Sequence, residues 1–221
     1  MKAVSLSEIA EAVQGRLINS SENLIKNVST DTRKLTADSL FVALKGERFD
    51  AHDFVDQGDA DSAAALLLDR ELNATLPMII VKDTRLALGA LARHCRKNFN
   101  GKLVAVTGSN GKTTVKEMTA SIMRQKGETL YTQGNLNNDI GLPLTLFNLQ
   151  DQDFAVVELG ANHHGEIQYL THIALPDAAA ITHAGNAHLE GFGSIEGVAH
   201  VGHPVAQRVV HRVLQRTATG G

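Results

Sequence analysis

The stretch that most restricts the fold is Lys102–Gly127, "KLVAVTGSNGKTTVKEMTASIMRQKG". An apolar run of strand character, KLVAVT, passes directly into a polar loop bounded by glycines. That loop opens a segment in which Val115, Met118, Ile122 and Met123 recur at helical spacing, and Gly127 supplies a stop. A buried strand joined to a helix in this way is a building unit of a parallel sheet covered by helices. A glycine-rich turn points several backbone N–H groups inward, and the helix N-terminus adds partial positive charge, so the loop suits a phosphate. Lys112 would bring a full charge to the β and γ oxygens, and Thr113 a hydroxyl to Mg²⁺. The pattern is G-S-N-G-K-T-T, Gly108 through Thr114, shorter than the strict P-loop, because Val106 stands where that motif needs its first glycine. Gly-Lys-Thr alone also fits a plain turn with a surface lysine; its place between strand and helix favours the nucleotide.

The same alternation extends in both directions. Upstream, SEIAEAVQGRL reads as a helix capped by Ser5 or Ser7, with Ile9, Ala10 and Val13 on one face and Gly15 near its end. Short apolar runs follow at Leu40–Leu44, Ala63–Leu68 and Met78–Val81, giving a small α/β domain over residues 1–83. A helix, TRLALGALARHCRKNF, leads into KLVAVT. Downstream, TLYT, DFAVVELG and DAAAITHAG supply further strands, so residues 84–199 are expected to form a second α/β domain, with 200–221 a divergent tail. Ligands of such sheets sit at the carboxyl ends of the strands. The polar clusters Thr107–Thr114, Glu158–His164 and His183–Glu190 each follow a strand and are expected to converge on one edge of the sheet.

Composition narrows the function. The net charge of −3 over 221 residues offers no bulk attraction to nucleic acid. Cys95 is the single cysteine, so neither an intrachain disulfide nor a cysteine metal cluster can form. The N-terminus lacks the apolar core of a signal peptide, and no run of roughly 18 apolar residues predicts a membrane span. A cytoplasmic protein is expected. Magnesium on a nucleotide needs further hard oxygen ligands. Glu158, at the end of FAVVE, is placed to supply one, although a solvent-facing acid at a strand end would read the same. His188, in NAHLEGFG, taken alone is equally a hydrogen-bonded loop residue.

Together, TGSNGKTTVKEM, YTQGNLNNDIGLPLTL, VELGANHHGEI and AHLEGFGSIEGVA resemble the Mur ligases over roughly residues 1–199. The N-terminal STDTRKLTADSLFVALKGERFDAHDF is most like the members that join D-Ala-D-Ala to UDP-MurNAc-tripeptide. The resemblance implies a small N-terminal α/β domain for the UDP-substrate, then a P-loop-type parallel-sheet domain for ATP. It implies an ATP-dependent amide ligase of peptidoglycan synthesis: the terminal carboxylate is phosphorylated, and the amine of D-Ala-D-Ala displaces the phosphate. By motif, Gly108, Ser109, Asn110, Gly111, Lys112, Thr113 and Thr114 wrap the triphosphate. Thr113 and Glu158 hold the first magnesium, and His188 helps hold a second metal, with Lys112 and His188 serving the chemistry. Asn135, Asn137 and Asn138 contact the muramoyl substrate, and Thr30, Asp31, Arg33 and Lys45 match the UDP-binding segment. No nucleic-acid partner or membrane span is implied, and a monomer is expected.

Three departures qualify this. The family carries a carbamylated lysine about a dozen residues after the motif histidine, yet no lysine follows Lys126 here. The family's C-terminal domain is absent before Gly221, and His183 replaces an expected asparagine. In the tail, PVAQRVVHRVLQR has helical periodicity, but the likeness stops abruptly near Ala199; a shifted reading frame is preferred over an authentic helix. The chain is therefore expected to be an incomplete ligase with weak turnover or none. A non-catalytic nucleotide or UDP-sugar module is the alternative. A P-loop kinase or GTPase has no support from a guanine motif or a strict Walker pattern.

Overall fold

The computed structural model describes residues 1–47, 49–163 and 165–183. The chain divides into two compact units, Met1–Cys95 and Arg96–Gly221. His188 and the whole of 200–221, with the readings placed on them, lie outside the described residues.

In the first unit the elements run β1 (Val4–Ser5), α1 (Leu6–Val13), β2 (Arg16–Ile18), β3 (Leu24–Ile25), β4 (Asn27–Ser29), a 3-10 turn (Thr32–Lys34), β5 (Ser39–Val42), α2 (His52–Asp56), β6 (Ala65–Leu68) and β7 (Met78–Ile80). α3 (Thr84–Lys97) crosses the boundary between the units. Ser5 caps α1 by accepting the Glu8 N–H at 3.3 Å, and Leu6, Ile9, Ala10 and Val13 are buried, as the spacing predicts. The helix closes at Gln14 in the left-handed region, with the Gly15 N–H donating to Ala10 at 2.8 Å. Five strands align in the order β2-β7-β6-β5-β4. β4 through β7 are parallel, and β2 runs antiparallel to β7. Every residue of β5 and β6 is buried, so both faces of the sheet centre are covered, and the strands read as unbroken apolar runs rather than alternations.

The second unit continues with β8 (Lys102–Thr107), α4 (Lys112–Arg124), β9 (Thr129–Tyr131), α5 (Gly141–Leu146), β10 (Phe154–Glu158), α6 (Glu166–Ala174) and β11 (Ala178–Ile181). Its four described strands are all parallel, in the order β11-β8-β10-β9. From β8 the chain passes through α4 to one flank of the sheet, and from β10 it passes through α6 to the other. The strand order therefore reverses between β8 and β10, and their carboxyl ends open a crevice of the kind that binds ligands in such sheets.

Arg96 fastens this unit at the opposite strand ends. Only 3% exposed, it donates to the carbonyls of Ala174 and Leu175 at the end of α6 and ion-pairs with Asp177 at 2.7 Å. Asp177 in turn accepts the Leu103 N–H at 3.0 Å.

One helical face differs from the spacing. Met118 and Ile122 are each 61% exposed, whereas Lys116 and Ala120 are buried, with Val115 and Met123 packed against Val106, Ala120 and Val156. The correction has a physical origin. At 100° per residue, positions 115, 116, 119, 120 and 123 form one stripe, and a lysine stem fills a core position as an aliphatic chain does.

Candidate nucleotide and metal site

Side-chain alternation along the strands builds the site. Val106 on β8 and Val156 on β10 face α4 with Ala120. Glu158 is two residues past Val156, so its side chain leaves the same face of β10 and meets the start of that helix. There its carboxylate accepts from the Thr113 hydroxyl at 3.0 Å and from the Asn137 amide at 2.8 Å. It is 2% exposed, and both donors are neutral. A buried carboxylate without a cationic partner is costly, and no ion pair to Glu158 occurs among the described residues.

The preceding loop has the conformations its glycines allow. Gly108 has φ 132°, and a Cβ there would collide with the Thr182 hydroxyl; Gly111 has φ 79° and is the N-cap of α4. Gly111 offers no side chain to cap the helix, so the first N–H groups of α4 have no partner of that kind and present partial positive charge to the loop. Lys112 turns back over the loop, its ammonium donating to the carbonyls of Gly108 at 2.8 Å and Ser109 at 3.4 Å. Asn110 and Thr114 lie on the same turn and first helical turn. The loop is held from the β11 side: Ser109 N–H donates to the His183 carbonyl at 2.7 Å, and the Thr182 hydroxyl donates to the Asn110 carbonyl at 2.6 Å. His183 thus contributes through its backbone, which any residue type supplies. Thr182 carried no role in the sequence reading, and its signal was its position directly after the last apolar run.

The three asparagines separate. Asn137 is drawn to Glu158, and its carbonyl accepts the Gly160 N–H at 2.9 Å. Asn138 uses its side-chain oxygen on the N–H groups of Ile140 and Gly141, at 3.2 and 2.8 Å, and so caps the entry to α5. Asn135 is exposed.

A hydroxyl at a helix start beside a carboxylate at a strand end fits magnesium, whose remaining ligands would be water and phosphate oxygens. Among the described residues no group of three His, Cys, Asp or Glu side chains could hold a metal unaided. Lys112, the α4 terminus and Thr113 are the groups that would meet phosphate.

In the first unit the candidate UDP-binding residues have different surroundings. Asp31 caps the 3-10 turn and takes both the Nε and an Nη of Arg33, at 2.8 and 2.9 Å. That side-chain bond holds the Asp31 carboxyl down at about 2. Thr30 is half-buried and Lys45 exposed. Nearby is a cluster that sequence reading left without a role. His52, fully buried, lies 2.5 Å from the Asp50 carboxylate through Nδ1 and accepts the Asp69 N–H at Nε2, at 3.0 Å. The second bond fixes the tautomer, with the proton on Nδ1. Arg70 bridges Asp50 and Asp69, each at 3.0 Å. Burial works to raise the Asp50 carboxyl, but bonds from His52 and Arg70 outweigh it and leave it at about 2.

Two family models match the chain: the Mur ligase middle domain over residues 106–204 and the Mur ligase family catalytic domain over residues 24–96. The chain belongs to the Mur ligase family. The UDP-N-acetylmuramoyl-tripeptide–D-alanyl-D-alanine ligase of Escherichia coli K12 is 56% identical over 200 residues, which are 90% of this chain and 44% of that ligase. A crystal structure of MurF from Acinetobacter baumannii matches with a TM-score of 0.89 at 40% identity, covering 95% of this chain and 47% of its own. MurF ligase from Thermotoga maritima, solved in complex with ADP, gives 0.77 at 34%, covering 82% and 43% respectively. The chain thus spans less than half the length of these relatives. The match to Mur ligases agrees with the fold the sequence implied, a small N-terminal α/β domain followed by a parallel sheet covered by helices. Among the described residues no helix is long and apolar enough to cross a membrane.

Proposed function

We propose that this chain carries the UDP-substrate and ATP sites of an ATP-dependent ligase that adds D-Ala-D-Ala to UDP-MurNAc-tripeptide, acting in peptidoglycan synthesis in the cytoplasm, as a monomer. Residues 1–83 are assigned to the UDP moiety and 84–199 to ATP, with His188 as a ligand of a second metal. The observation that carries this is the Thr113–Glu158 bond of 3.0 Å beside Lys112 at the strand-order reversal.

The physical problem of the reaction is charge. A carboxylate repels an attacking amine and has no leaving group, whereas its mixed anhydride with phosphate has neither defect. Transfer of the γ-phosphoryl group from ATP forms that acyl phosphate and ADP. The amine then adds to the acyl carbon, loses a proton and expels inorganic phosphate. Residues of this chain would position and neutralise the reacting anions. The α4 terminus and the loop N–H groups other than that of Ser109, which the His183 carbonyl holds, would receive the phosphates, while Lys112 would leave its loop carbonyls for a phosphate oxygen. Thr113 and Glu158 would hold magnesium, which when bound supplies positive charge to the phosphate oxygens. Asn137 orients Glu158 with a neutral donor and so adds no cation that would compete with the metal.

Two measurements test the proposal. Calorimetry with ATP and Mg²⁺ should give saturable 1:1 binding. Incubation with ATP, Mg²⁺, UDP-MurNAc-tripeptide and D-Ala-D-Ala should give amide at a rate far below that of the full-length E. coli ligase, because the family's anionic carbamate ligand has no lysine to form on. Absence of nucleotide binding would defeat the proposal. Binding with no amide at all would leave the chain a nucleotide-binding module.

A further inference from the structure

Lys116 is wholly buried, with 0% of its surface exposed, although lysine is among the residue types least often found inside. Its ammonium donates to the Thr132 carbonyl at 2.8 Å, lies 2.8 Å from the Glu117 carboxylate and stands 5.6 Å from the centre of the Tyr131 ring. Stability does not account for a lysine here. Glu117 is half-exposed and solvated without it, and replacing a buried ion pair by an apolar residue of similar volume is often neutral or stabilising.

What the lysine does accomplish is geometric. Thr113 and Lys116 are three residues apart on α4, one turn from each other along the helix. Thr113 reaches Glu158 at the end of β10, and Lys116 reaches Thr132 just past the end of β9. These two ends are themselves joined: the Thr132 hydroxyl accepts the Glu158 N–H, and the Thr132 N–H donates to the Val156 carbonyl, both at 3.0 Å. Thr132, 0% exposed, is also where the chain leaves β9 for the segment that carries Asn137. The bonds close a ring running Thr113, Glu158, Thr132, Lys116 and back along one turn of helix.

We propose that Lys116 is a positioning residue for the nucleotide–magnesium site: through Thr132 it fixes the backbone of Glu158 and the root of the Asn137 segment relative to the start of α4. This rests on the nucleotide reading of Thr113 and Glu158 given above. Lys116 touches neither nucleotide nor metal, so its loss acts on the cation-dependent part of binding. Supporting groups of this kind are worth about 10-fold or more in metal affinity.

The test uses the 221-residue chain with Lys116→Met and Lys116→Arg, titrated with ATP in Mg²⁺ and in EDTA, alongside thermal melting. Lys116→Met is expected to weaken ATP binding in Mg²⁺ by roughly 10-fold, to leave binding in EDTA unchanged and to melt somewhat below wild type, because the Thr132 carbonyl loses its donor; Lys116→Arg should restore most of the loss. Should Lys116→Met fail to fold, Thr132→Val, which removes only the acceptor for the Glu158 N–H, should show the same selective loss in Mg²⁺. Equal Mg²⁺-dependent affinity in the wild type and the variants overturns the proposal and leaves the nucleotide reading intact. A wild type indifferent to ATP removes that reading and this inference together.

Discussion

The two larger sheets of this protein are built alike and finished differently. Each has a centre of parallel, largely apolar strands whose carboxyl ends run into polar loops. In the first unit those polar residues satisfy one another: Asp31 closes on Arg33, and His52 is held by Asp50 and Asp69 with Arg70 across both. In the second unit they do not. Among the described residues Lys112 donates to loop carbonyls, and Glu158 accepts from a hydroxyl and an amide. A charge that finds its counter-charge inside the fold stabilises the fold, whereas one held by neutral groups is available to a ligand. On this contrast we propose that His52 serves stability and that Lys112 and Glu158 serve binding.

The largest effect should come from His52. Replacing it with alanine leaves Asp50 and the Asp69 N–H without their buried partner and opens a cavity, at a cost of about 2–4 kcal/mol. Chemical denaturation should show that loss, and ATP affinity should stay at the wild-type value. If His52→Ala instead weakened ATP binding at unchanged stability, the division between the sheets would fail.

Lys112→Ala is the mirror experiment. A charge-assisted bond to phosphate contributes about 1.5–3 kcal/mol, so ATP affinity should fall by roughly 10–100-fold, while the denaturation midpoint moves little because the side chain's partners are loop carbonyls that water can satisfy. Calorimetry and denaturation on one preparation would check both halves.

Arg33→Ala sharpens the comparison on its weaker side. Any diphosphate must compete with Asp31 for the guanidinium, so affinity for UDP-MurNAc-tripeptide should drop only several-fold.

The smallest signal is in acid. Asp31 and Asp50 both titrate at about 2 in the folded chain, below their ordinary 3.8. Their contribution is fully present above about pH 4 and is lost as pH falls from there through about 2, because the unfolded carboxylates take up protons first. Circular dichroism between pH 5 and 2 should show the first unit weakening within that window; loss already at pH 5 would contradict the assignment.

Much of this was legible in the sequence, for reasons that can be named. KLVAVT into GSNGKTT fixes a strand, a turn and a helix start with local chemistry, and local chemistry survives folding. The convergence of Thr113 and Glu158 followed from both lying just past apolar runs in a parallel sheet. Lys116 was missed because charge marks a residue as surface, while burial here is set by the helical stripe and by a carbonyl at Thr132, sixteen residues on in the chain. Asn138 looked like its neighbours Asn135 and Asn137, yet its side chain serves the backbone of α5. The His52 cluster was hidden because Asp69 and Arg70 reach it only through strand pairing, from seventeen residues and more away.

We propose above all that Glu158 is a buried carboxylate held for a cation that arrives with nucleotide. Glu158→Gln keeps the size and most of the hydrogen bonding and removes the charge. ATP affinity should then become nearly independent of Mg²⁺, with affinity in EDTA and thermal stability preserved. A variant that still gains affinity on adding Mg²⁺ as the wild type does would contradict the account.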